Sequence, residues 1–94
     1  MSRRPQAPGV DEYTARTLVT AGAVRGARVV AQGDRWTVEL QSGQAGEWVP
    51  VVASRGHVRE WRTADTVIGW LRDLGVAQFS LDARAFSSDQ KSVI

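Results

Sequence analysis

The sequence predicts an α+β domain with helices on one face of a sheet, in the order α-β-β-β-β-α-β. Three observations carry this: a capped helical segment near the start, alternating strand-like runs from residue 24 to 62, and an amphipathic segment between Thr63 and Gly75. At 94 residues and 43% apolar composition the chain suits one small domain with a single core. Small domains bury a modest share of their surface, so self-association is a common remedy and a homodimer is expected.

The first nine residues, with Pro5, Pro8 and Gly9, lack periodicity and read as a flexible basic arm. Asp11 can cap a helix over about 11–21, with Glu12 in its first turn and Val10, Tyr13, Thr17, Leu18 and Ala21 at helical spacing. Gly22 suits the position just past its end. VRGARVVAQ then reads as a strand, QGDR as a Gly-Asp turn, and WTVELQ as a strand with Trp36, Val38 and Leu40 on one face. EWVPVVA forms a third strand, where Pro50 cannot donate to a ladder and belongs on an edge or at a bulge. HVREWR makes a fourth, completing an antiparallel meander.

Thr63 or Asp65 can cap the second helix, and Ala64, Val67, Ile68, Leu71 and Leu74 form its apolar stripe before Gly75 ends it. VAQFSLD is the final strand, with Ala77, Phe79 and Leu81 expected inward. The domain therefore spans 10–83, and 84–94 is expected to be a flexible tail.

Residue types exclude several chemistries. There is no cysteine, and His57 is the one histidine, so neither a thiolate nucleophile nor a His/Cys metal site is encoded. Asp65 and Asp73 lie eight residues apart on a helix face, and the SGQAG glycines lack the Lys-Ser/Thr of a phosphate-binding loop. The chain reads as non-enzymatic, without cofactor or metal. No apolar run reaches the roughly 20 residues of a membrane span, and no apolar segment follows the basic start, so the cytoplasm is expected.

Binding remains. The formal charge is +2, but residues 11–82 hold eight arginines against nine acidic residues, leaving the central region near neutral. One expectation is a protein-contact surface combining Trp48, Pro50 and Trp70, since edges and rim aromatics recruit partners. The alternative is a nucleic-acid face built from Arg25, Arg28, Arg35, Arg59, Trp61 and Arg62, with Trp61 as a stacking platform and Arg3 and Arg4 assisting.

The runs VRGARVVAQGDRWTVEL and REWRTADTVIGWLRDLGVAQFSLDA resemble the small ParC-type partition-associated proteins of broad-host-range plasmids. The shared features are a basic-aromatic strand end, a helix ending in L-x-x-L-G-V and a closing F-x-L-D strand, over about residues 23 to 83. The resemblance implies a non-enzymatic accessory or regulatory protein of a plasmid or other mobile element, tied to partition or stable inheritance. It assigns no functional residue.

Overall fold

Two helices and a four-stranded sheet make up the structure, a computed structural model that describes residues 9–43 and 46–87. Helix α1 spans Glu12–Thr20, and the Asp11 side chain accepts the Thr14 amide at 2.8 Å to cap it. Strand β1 is Val24–Gln32, β2 is Arg35–Ser42 and β3 is Glu47–Pro50. Helix α2 is Ala64–Leu74, capped by Thr63 accepting the Thr66 amide. It ends at Gly75, whose φ of 106° lets the Val76 amide return to the Leu71 carbonyl at 2.9 Å. Strand β4 is Ser80–Asp82.

The sheet order is β3-β2-β1-β4, antiparallel except where β4 runs parallel to β1. The expected α+β class holds and the element order is close to the expected one; β1, β2 and β3 form an antiparallel meander, and the final strand joins β1 in parallel to make the sheet mixed. The expected fourth strand is replaced by two isolated bridges, Val52 with Val58 and Trp36 with Trp61. The intervening chain turns at Ser54 and Arg55, so residues 57–62 touch two different partners rather than one strand.

Ala27, Val29 and Ala31 of β1 and Trp36, Val38 and Leu40 of β2 all face one side. Val51, Trp61, Ala15 of α1 and Val67, Leu71 and Leu74 of α2 complete the core on that side.

Four packing expectations are corrected. Tyr13 is 78% exposed, because α1 turns Ala15 inward instead. Ile68, at the margin of the α2 stripe, is 37% exposed. Ala77 and Leu81 lie exposed and Phe79 half-buried, since only three residues of the last segment pair with the sheet. Residues 84–87 also belong to the folded domain: Phe86 stacks on Trp36 at 5.2 Å, and the Ser87 amide reaches the Gly33 carbonyl at 2.9 Å. The arm's residues 1–8 and the tail's 88–94 lie outside the described residues.

Candidate functional site

The second face of the sheet is uncovered among the described residues. Arg28, Val30, Thr37, Glu39, Gln41, Trp48 and Pro50 alternate onto it, and of these only Thr37 is buried. Trp48 pairs with Gln41, and Gln41 with Gly26, so the indole reaches across β2 towards β1. Gly26 makes this possible: a Cβ there would lie 3.2 Å from the Trp48 ring tip and 3.1 Å from Gln41 Oε1. Arg28 caps the indole, its guanidinium carbon 4.2 Å from the ring centroid, while its Nε donates to Glu39 Oε1 at 2.6 Å. A glycine inside a strand marks a close approach or a bulge, and that signal was present in VRGAR.

The margins of the sheet are less open. Pro50 offers no donor, and beside it the Val10 amide donates to the Pro50 carbonyl at 2.9 Å while Val10 accepts from Val52 at 2.8 Å. The expected edge role of Pro50 holds. On the far side β4 is three residues long and ends in a turn where Asp82 accepts from the Arg84 backbone and guanidinium. Short, charged or proline-bearing margins discourage strand addition. The Arg84 guanidinium, followed by its amide, holds the Asp82 carboxyl at about 2.

A second aromatic-arginine group lies on the helix side. Trp61 is 7% exposed and exchanges two backbone hydrogen bonds with Trp36, at 2.8 and 2.9 Å. Trp70 tilts against it at 5.1 Å, and the Arg59 guanidinium covers both rings, 4.5 Å from Trp61 and 5.6 Å from Trp70. Glu12 of α1 fixes this group, accepting from Arg16 at 3.1 Å and Arg59 at 3.3 Å. These contacts, Arg16 foremost, lower the Glu12 carboxyl below its ordinary range. The buried Trp70 Nε1–H lies on the same carboxylate's side without closing a hydrogen bond of ordinary geometry.

The expected surfaces are therefore divided. Trp48 and Pro50 share the open face, but Trp70 packs against the core behind the sheet, so the three do not form one contact surface. Alternation cannot reveal this, because it places a residue on a face of its own element only. Arg28 and Arg35 lie on the open face, whereas Arg59 lies on the helix side, and Arg62 is exposed just before α2. Arg25 sits where the β1–β2 register steps by one residue. Arg28 and Arg59 already neutralise Glu39 and Glu12, and Trp61 is too buried to offer a stacking face. Glu12, which ties α1 to this group, was read in the sequence only as a favourable first-turn charge.

Among the described residues no three His, Cys, Asp or Glu side chains converge as a metal site. No helix among them is long and apolar enough to cross a membrane. These surfaces define a small α+β domain in which, among the described residues, one sheet face is covered and the other is not. Comparison with protein-family models, curated proteins and solved structures finds no match for this chain.

Proposed function

We propose that the chain is a non-enzymatic accessory module acting through protein contacts, and that the uncovered sheet face packs on a second copy of itself. The observation that carries this is Trp48 lying across that face between Gly26 and Arg28. Trp and Arg are the residues most often energetically dominant in protein contacts. The face also suits a copy of itself electrostatically: Arg28 and Arg35 are balanced by Glu39 and Asp82.

Its size sets the strength. Four strands about 4.8 Å apart and a longest strand of about 30 Å bound the face at roughly 600 Å². Stable interfaces bury about 800 Å² per partner, so the dimer is weak and reversible. The likeness to partition-associated plasmid proteins supports an accessory role in stable inheritance within the cytoplasm.

Sedimentation equilibrium from micromolar to millimolar protein tests the contact. The wild type is expected to dimerise at the upper end, and Trp48→Ala to weaken association at least about tenfold while keeping its fold. A protein that stays monomeric throughout, or a folded Trp48→Ala that associates as well as the parent, refutes the reading. The biological role is tested by deleting the gene from its replicon and measuring loss per generation; unchanged inheritance refutes it.

A further inference from the structure

Among the described residues, one stretch of β1 has no strand on its outer side. Trp36 and Val38 direct their backbone groups away from β1: Trp36 bonds Trp61, and the Val38 carbonyl accepts from Val51 at 2.9 Å. Their partners Ala31 and Val29 therefore point away from β2, towards β4, and Ala27 does the same two residues earlier. The parallel ladder begins where Arg28 aligns with Ser80, which engages the Ala27 carbonyl. The next bond, from the Ala27 amide to the Gln78 carbonyl, is not formed, and Val76–Phe79 lies outside the strand. Ala27 as a whole is 5% exposed, but it borders a cleft, and among the described residues its amide has no backbone acceptor.

The gap is a cleft of about 230 Å³ whose walls include Val19, Val24, Gly75 and Val76. Arg25, the extra residue at the register step, stands exposed at its side. Bulges commonly re-aim a side chain beside a binding position. The cleft is smaller than the roughly 300 Å³ at which small-molecule pockets begin, and suits one or two residues of extended chain.

We propose that this cleft binds a short extended peptide, which adds to β1 as the missing strand segment. The peptide supplies a carbonyl to the Ala27 amide, a small apolar side chain to Val24 and Val76, and a carboxylate to Arg25. Main-chain bonding to an unpaired sheet margin is an established mode of peptide capture. Gly26 lines the cleft and also meets the Trp48 ring tip, but capture of a peptide at the Ala27 amide does not depend on dimerisation through the open face.

The test uses ¹⁵N-labelled full-length protein and two blocked tetrapeptides, Val-Ala-Val-Asp and Val-Ala-Val-Lys. Without peptide, the Ala27 amide is expected to exchange with deuterium at least about tenfold faster than the amide of Val29, which is paired. The acidic peptide at millimolar concentration should shift the Ala27 resonance and slow its exchange, binding about tenfold more tightly than the lysine peptide. Arg25→Glu, at an exposed position, should reverse that preference with the rest of the spectrum unchanged. Exchange at Ala27 as slow as at Val29 in the free protein overturns the proposal. So does an Ala27 resonance that neither peptide moves, the result expected if only water fills the cleft.

Discussion

Replacing Arg59 separates the electrostatic from the packing role of the group behind the sheet. Arg59→Met keeps most of the aliphatic stem over Trp61 and removes the charge; Arg59→Ala removes both. The ion pair to Glu12 is long at 3.3 Å and its side chains are 35% and 47% exposed, so it contributes about 0.3–0.5 kcal/mol. The cation over Trp61 at 4.5 Å contributes about 0.5–1 kcal/mol more. Arg59→Met should therefore cost about 1–1.5 kcal/mol, and Arg59→Ala about 2 kcal/mol as the indole becomes uncovered. Urea unfolding followed by tryptophan fluorescence should show midpoint shifts of roughly 1–1.5 M and 2 M, for a slope near 1 kcal/mol per molar. A double-mutant cycle with Glu12→Gln should recover about 0.3–0.5 kcal/mol of coupling. If Arg59→Met unfolds with the parent, or the cycle gives no coupling, the clamp between α1 and the tryptophans contributes nothing.

Two further outcomes follow from the same geometry. Gly75→Ala should destabilise by about 1–2 kcal/mol in urea unfolding, since φ is 106° and a Cβ would meet Val19 at 3.2 Å. Acid should weaken the fold in a defined direction: Asp11, Glu12 and Asp82 all have lowered folded-state values, Asp11 chiefly through the Thr14 amide and Asp82 falling to about 2. A lowered carboxyl stabilises above its unfolded value, near 4, and that contribution is lost as pH falls towards 2. Flat stability between pH 5 and 2 would contradict these three contacts.

What could be read from the chain was what is local. Asp11, Thr63 and Gly75 cap their helices through contacts three to five residues away, and the two-residue Gly33-Asp34 turn sets the β1–β2 register locally. The parallel pairing of β4 depends on Arg28 meeting Ser80 across the sequence, and no periodicity encodes that. Residues 57–62 alternate like a strand, yet Val58 and Trp61 find different partners because of the turn before them. The surface was partly legible in the same way. Pro50 declared an edge by its missing donor, whereas the separation of Trp70 from Trp48 by the thickness of the sheet exists only after folding.

The placement of β4 also orders the assembly of the sheet. The β1–β2 hairpin closes over a two-residue turn, while β4 must bridge a far longer loop for three residues of pairing. Until the last segment arrives, Val29 and Ala31 present unpaired backbone groups along an apolar strand. A chain shortened before Ser80 would keep the hairpin and both helices' sequence but carry that bare margin permanently. Its characteristic failure would be aggregation between neighbouring chains rather than simple loss of stability.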